Sequence, residues 1–244
     1  MNNNKLLLWV LEKNKIERDY MEYAVIFDMD GVIIDSNPYH RMAWGRFLDK
    51  KGIVISDDVF KNQIFGTTGS GALRRLIGED LTEGEVEAFK REIECEYRDI
   101  ISHLDGVEPV NGLVAFMESI KNGGHKIALA TSAPTENVEL VLNRFGIYEL
   151  FDLMVDITQV TKGKPDPEIY QTAVNRLSIP KRQCVVFEDS ISGITAAKRA
   201  GLVVIGVTTS HSSEELKEVG AVFTIGDFSE ISLEKVFEVL QTAV

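Results

Sequence analysis

A series of short, unbroken apolar runs, each followed by a helical stretch, most constrains what this chain can fold into. Ala24-Val25-Ile26-Phe27, Lys126-Ile127-Ala128-Leu129-Ala130, Leu153-Met154-Val155, Cys184-Val185-Val186-Phe187 and Val203-Val204-Ile205-Gly206-Val207 are such runs, and Ala221-Val222-Phe223-Thr224-Ile225 reads as another. Continuous runs of this length that alternate with helices are strands of a parallel sheet covered on both faces. The expected fold class is therefore α/β, a doubly wound parallel sheet. Helices are expected over roughly 136–145, up to about Leu177, and over 232–242. Another follows Asp189, carries Gly193, Ala196, Ala197 and Ala200, and is stopped by Gly201.

The first strand stands apart from the others. From about 38 to 103 the apolar positions 43, 44, 47 and 48, then 73, 76 and 77, then 86, 89 and 93 recur at helical spacing. An inserted helical domain over 37–105 accounts for this stretch, with a core domain made of 22–36 and 106–244. The crossings near Ser36–Pro38 and His103–Gly106 are candidate hinges. Residues 1–21 are expected to be an extension that adds nothing to the chemistry. Its apolar run, Leu6 to Leu11, is far short of the ~20 residues that span a membrane. Glu12 and Lys13 follow it where a secretory signal would carry a small-residue cleavage site.

Charge narrows the function. With 26 Lys and Arg against 38 Asp and Glu, the net charge of −12 disfavours nucleic acid and anionic membranes as partners. An anionic substrate needs a local device, a metal ion or a buried lysine, to reverse that field. The two cysteines, Cys95 and Cys184, form no Cys-x-x-Cys pair and lack nearby His, so neither a zinc nor a redox motif is present. A reducing, cytoplasmic setting is expected.

The polar residues at the strand ends carry the chemistry. Open parallel sheets bind ligands at the carboxyl ends of their strands. There the sequence puts Asp28 and Asp30, then Thr131 and Ser132, then Lys162, Lys164 and Asp166, then Glu188 and Asp189. Clustered carboxylates repel one another, a divalent cation removes that cost, and hard oxygen ligands with few His or Cys select Mg²⁺. A lysine and a hydroxyl on the same rim suit the remaining oxygens of a phosphoryl group. One carboxylate can attack phosphorus, and another can protonate the leaving alcohol and later activate water. Other phosphate devices are missing. There is no G-x-x-x-x-G-K-[ST], and Gly66-Thr67-Thr68-Gly69-Ser70-Gly71 is not G-x-G-x-x-G. Ser178-Ile179-Pro180-Lys181 matches S-x-x-K without its companion motifs and is read as chance.

Four motifs, in order, resemble those of the haloacid dehalogenase-like (HAD) superfamily: Phe27-Asp28-Met29-Asp30-Gly31-Val32 with Asp35-Ser36, Thr131-Ser132, Gly163-Lys164-Pro165-Asp166-Pro167, and Phe187-Glu188-Asp189-Ser190 with Gly193. Tyr39-His40, Ala43-Trp44 and the helical insertion are similar to the β-phosphoglucomutase-like branch, which has a small helical cap. The resemblance covers about residues 22–225 and implies a Rossmann-like core with an inserted α-helical cap. It implies that Asp28 is the phosphorylated nucleophile and Asp30 the general acid/base, whose main-chain carbonyl binds the metal. Thr131, with Ser132 beside it, and Lys164 would hold the phosphoryl group. Asp28, Asp30, Glu188 and Asp189 would make the Mg²⁺ site. Lys162, His40 and Trp44 are read as a solvated lysine, a helix-face hydrogen-bond partner and cap packing.

The expected function is a Mg²⁺-dependent phosphatase for a small phosphorylated metabolite, a sugar phosphate above all, acting through an aspartyl phosphate as a monomer. The alternative is a sugar phosphomutase. A protein that kept the fold only to bind is disfavoured by the presence of Asp28 and Lys164. A mutase must grip a second phosphate with cationic groups on its cap. The β-phosphoglucomutases that this chain resembles carry an Arg after a cap-loop Gly and a Lys on a later cap helix. Here the corresponding stretches, Gly66 to Ser70 and Ile93-Glu94-Cys95-Glu96-Tyr97, hold no cation, although Arg74, Arg75, Lys90 and Arg91 are near in sequence.

Overall fold

Strand β1 (Ala24–Phe27) occupies the middle of a six-stranded, wholly parallel sheet. The other strands are β2 (Lys126–Ala130), β3 (Leu153–Val155), β4 (Cys184–Glu188), β5 (Val203–Val207) and β6 (Phe223–Ile225), and the order across the sheet is β3-β2-β1-β4-β5-β6. The structure is a computed structural model that describes residues 22–56, 60, 64 and 69–242. The expected extension 1–21 and the apolar run within it lie outside the described residues, as do Gly66, Thr67 and Thr68.

The insert comes first in the chain after β1. It holds α1 (Asn37–Lys50), α2 (Gly69–Ile77) and α3 (Glu83–His103). Where the sequence reads as mostly helical through 38–103, the described residues include three separate α-helices, and Ile53 to Ser56 are irregular. Thr82 and Glu85 start α3 with a reciprocal cap: Glu85 N donates to Thr82 Oγ1, and Thr82 N to Glu85 Oε2. Phe47 of α1 meets Phe89 of α3 at 5.6 Å between ring centres, and Trp44 packs edge-on to Phe47. Arg46–Asp99 and Lys51–Glu92 tie the exposed edge of that pair.

The core helices are α4 (Leu113–Asn122), α5 (Thr135–Arg144), α6 (Glu168–Leu177), α7 (Ile191–Arg199), α8 (Ser213–Val219) and α9 (Leu233–Thr242). Alternate residues of β1 go to opposite faces of the sheet, as strand geometry requires. Val25 and Phe27 join the apolar cluster fed by α4, α5 and α9, whereas Ala24 and Ile26 join that of α6, α7 and α8. Phe27 stacks on Phe187 at 5.4 Å, and Phe116 and Phe228 close over both. Each such ring taken from water contributes roughly 1.5–3 kcal/mol.

Register is what builds the site. Phe27 lies beside Leu129 on one side and Phe187 on the other, so the residues after Phe27 and Phe187 emerge side by side. The fourth strand runs through Glu188, which pairs with Gly206 of β5. The sixth is shorter than the run 221–225 that the sequence offers: it starts at Phe223 at the sheet edge, where Val222 is half exposed. Cys184 is buried in β4, and burial pushes its thiol up to about 12; Cys95 is exposed on α3. Among the described residues no helix is long and apolar enough to cross a membrane.

Candidate active site

Asp28 leaves the end of β1 with its main-chain N–H donating to Phe187 O at 3.0 Å, which pins it beside the end of β4. Carboxylate oxygens of Asp28, Glu188 and Asp189 come within 4.8 Å of one another, and all three residues are buried. Burial pushes Asp28 up to about 7; Glu188 and Asp30 add to that, and Lys164 opposes it. Burial, then Glu188 and Asp28, hold Asp189 well above the ordinary carboxylate range. Three carboxylates of this kind call for positive charge.

One cation is built in. Lys164, from the loop before α6, has a side chain only 5% exposed; its Nζ lies 2.9 Å from Asp28 Oδ1 and donates to Glu188 Oε1 at 2.7 Å. Burial opposes its charge, but Asp28 and Glu188 outweigh burial and keep the ammonium protonated far above its usual range. Tyr170 of α6 donates to the same Glu188 oxygen at 3.1 Å and presents its ring to Lys164 Nζ at 4.9 Å. Glu188 Oε2 accepts from Ser190 N at 2.8 Å and from Ser190 Oγ at 3.0 Å. Both oxygens of Glu188 thus accept hydrogen bonds, the shortest of them from Lys164.

Two glycines let these carboxylates approach main chain. A Cβ on Gly193, in the first turn of α7, would lie 1.6 Å from Glu188 Oε1 and 1.9 Å from its Cδ. A Cβ on Gly31, which has φ +75°, would lie 1.9 Å from Asp189 Oδ2. Gly31 and Gly193 both stand in motifs that the sequence shows, but neither contact is readable there. Gly193→Ala is expected to drive Glu188 off its four donors and to cost about 1–3 kcal/mol of stability, measured by urea unfolding. A variant as stable as the parent would mean that Glu188 is not held by that turn.

Asp30 points elsewhere. Its Oδ1 lies 3.3 Å from His40 Nε2, and the His40 ring stacks on Tyr97 of α3 at 4.2 Å. Burial disfavours its charge, yet His40 and Ser36 hold its pKa below the ordinary range; against the same burial, Asp30 and Glu94 raise that of His40. The insert therefore supplies a group directly to the Asp30 carboxyl. Trp44 packs within the insert.

Thr131 is buried at the end of β2, and its Oγ1 accepts from Ala133 N at 3.1 Å. Ser132 is exposed on the rim of the same cavity, of about 250 Å³, which Asp28, Asp30, Lys164 and Asp189 also line. Lys162 is outside it, exposed and 3.7 Å from Asp166. The far wall of the cavity is built by residues that the sequence does not single out. Asn37 Nδ2 donates to Ser210 Oγ at 2.9 Å, Ser210 Oγ donates to Asp189 Oδ2, and His211 Nδ1 meets Asp189 O at 3.1 Å. Nothing in the composition of the loop after β5 marks Ser210 and His211 as facing the fourth strand.

The donor set fits a small hard cation. It is all oxygen, and burial first, with neighbouring carboxylates second, raises the pKa of both Asp28 and Asp189. Asp28 Oδ1 is moreover buried with no well-aligned hydrogen bond. The carboxylate of Asp30 is not in this cluster.

The family model for haloacid dehalogenase-like hydrolases matches residues 25–207. A phosphorylated carbohydrates phosphatase of Thermotoga maritima is 37% identical over 201 residues, spanning 82% of this chain and 92% of that protein. A β-phosphoglucomutase of Bacillus subtilis is 31% identical over 220 residues, 88% of this chain and 94% of that one. The crystal structure of a HAD hydrolase, family IA, variant 3, from Entamoeba histolytica superposes with a TM-score of 0.84 at 29% identity, covering 91% of this chain and 100% of that one.

Proposed function

The chain belongs to the haloacid dehalogenase-like hydrolases, and from that premise we propose that it is a Mg²⁺-dependent phosphatase for a small sugar phosphate, working through an aspartyl phosphate on Asp28. The observation that carries this reading is the buried group of Asp28, Lys164 and Asp189 on one cavity wall, with a second carboxylic acid, Asp30, lining the same cavity.

In the proposed reaction Asp28 attacks phosphorus and the ester P–O bond breaks. Asp30 gives its proton to the departing sugar oxygen. A water then attacks the aspartyl phosphate, Asp30 takes a proton from it, and inorganic phosphate leaves with Asp28 restored. Lys164 and the Thr131 hydroxyl, with Ser132 at the rim, hold the phosphoryl oxygens in line. Asp28, Asp189 and the Asp30 carbonyl would hold the metal, and Glu188 would steady the site through Lys164. When bound, Mg²⁺ would supply charge neutralisation at the transferring group. His40 donates to Asp30 as the base and is a proton source when Asp30 must act as the acid.

Hydrolysis is favoured over mutase chemistry by how two arginines of the insert are engaged. Ile93, which opens the stretch that ends at Tyr97 and holds no cation, is buried and apolar. Arg74 is turned to the corner between α2 and α3, where it bonds Leu81 O and, at 2.6 Å, Glu83 Oε1. Arg98 is held by Asn137 and Cys95. Among the described residues neither arginine is free to grip a second phosphate.

The test is phosphate release from a panel of phosphorylated sugars, with Mg²⁺ and with excess chelator. Release from monophosphorylated sugars that chelator abolishes is expected; full activity in chelator would remove the metal from the mechanism. With β-glucose 1-phosphate and a trace of the 1,6-bisphosphate, free phosphate should exceed glucose 6-phosphate. Isomerisation tenfold faster than release would overturn the phosphatase reading and leave the nucleophile standing.

A further inference from the structure

We propose that Asn137 is a latch that holds the helical insert against the core, beside the site. Asn137 lies in the first turn of α5, a core helix, and is 1% exposed. Its Nδ2 donates to Glu94 Oε2 at 2.6 Å, and its Oδ1 accepts from Arg98 Nη1 at 2.9 Å. Glu94 and Arg98 stand one turn apart on α3 and face the same way. An amide presents a donor and an acceptor side by side, so one core side chain binds both residues of the insert and fixes which is which.

Farther along α5, Arg144 makes a different kind of hold. It donates to Ile101 O at 2.5 Å, Ser102 O at 3.3 Å and Leu104 O at 2.7 Å, main-chain carbonyls at the end of α3 that lack helical partners. These lie at the crossing where the insert returns to the core, so a rotation about that crossing moves them least. Arg98 and Glu94 lie roughly 8 and 14 Å along the helix axis from His103, far enough for the same rotation to separate them from Asn137. Arg144 is thus a pivot and Asn137 the contact that must break for the insert to swing. The position suits control of access: Tyr97, between Glu94 and Arg98, carries the His40 ring that reaches Asp30. The latch would act whatever ester the site takes, and its test needs no substrate.

The experiment is a spin-label distance measurement by double electron–electron resonance. Labels go on cysteines introduced by Glu87→Cys in the insert and Gln171→Cys in the core, both exposed positions. The background carries Cys95→Ser; Cys184 is buried. The parent should show one short distance. Asn137→Asp sets a second carboxylate against Glu94 and should lower the ratio of short to long distances roughly ten- to hundred-fold. Adding Glu94→Gln supplies an amide donor to that carboxylate and should restore the short distance. Glu94→Ala, which trims only a half-buried side chain, should also lengthen the distance and serves if Asn137→Asp fails to fold. A parental distribution in either folded single variant would overturn the latch, as would a double variant that stays open.

Discussion

Asp28→Asn is expected to fold like the parent and to lose turnover by about 10⁴-fold or more. An amide has nearly the shape of the carboxyl group but cannot attack phosphorus. Stability should change little, because two effects oppose each other. The substitution removes one of three mutually repelling buried carboxylates, which favours the fold. It also takes the charge partner at 2.9 Å from Lys164, but Glu188 still holds that ammonium at 2.7 Å. The checks are phosphate release, thermal unfolding, and a search for phosphorylated protein after brief exposure to substrate. Turnover within tenfold of the parent would dismiss Asp28 as nucleophile. A variant that is both inactive and unfolded would assign Asp28 a structural role instead.

The sequence shows the site at one level and hides it at the next. Asp28, Glu188 and Asp189 are legible because each follows an unbroken apolar run, and parallel strands all deliver their carboxyl ends to one rim. Strand order is not legible in that way: β1 is flanked by β2 and β4, which lie far along the chain beyond the insert. Contacts made by ordinary residues are hidden too. Gly193 is readable as a glycine, but the carboxylate that fills the space of its missing side chain comes from the preceding strand. Asn137, Glu94 and Arg98 are residues that any solvated helix face carries; only the packing of α3 on α5 brings them together. The division of labour among the acids was likewise invisible. In the structure the Asp30 carboxyl faces His40, and Glu188 accepts from Lys164, Tyr170 and Ser190 with its two oxygens.

Lys164→Met tests whether the buried ammonium serves the fold, the reaction or both. Met keeps most of the unbranched side chain, one atom shorter, and removes the charge. Asp28, Glu188 and Asp189 are then left without a built-in cation, and loss of one partner from a buried ion pair costs about 3–5 kcal/mol. The thermal midpoint should fall accordingly. Added Mg²⁺ should restore part of it, since the oxygens of Asp28 and Asp189 are those that fit a cation. Turnover should not return with it. In the proposed reaction Lys164 balances charge on the phosphoryl group itself, at a point 2.9 Å from the Asp28 oxygen, and one such preorganised group is worth about 10²–10³-fold in rate. Stability rescued by Mg²⁺ with activity still lost separates the two roles. If Mg²⁺ restored both, the lysine would be only a charge placeholder for the apo site. If the midpoint did not move at all, the carboxylates would have to be neutral in the folded protein, and the electrostatic account of the cluster would be wrong.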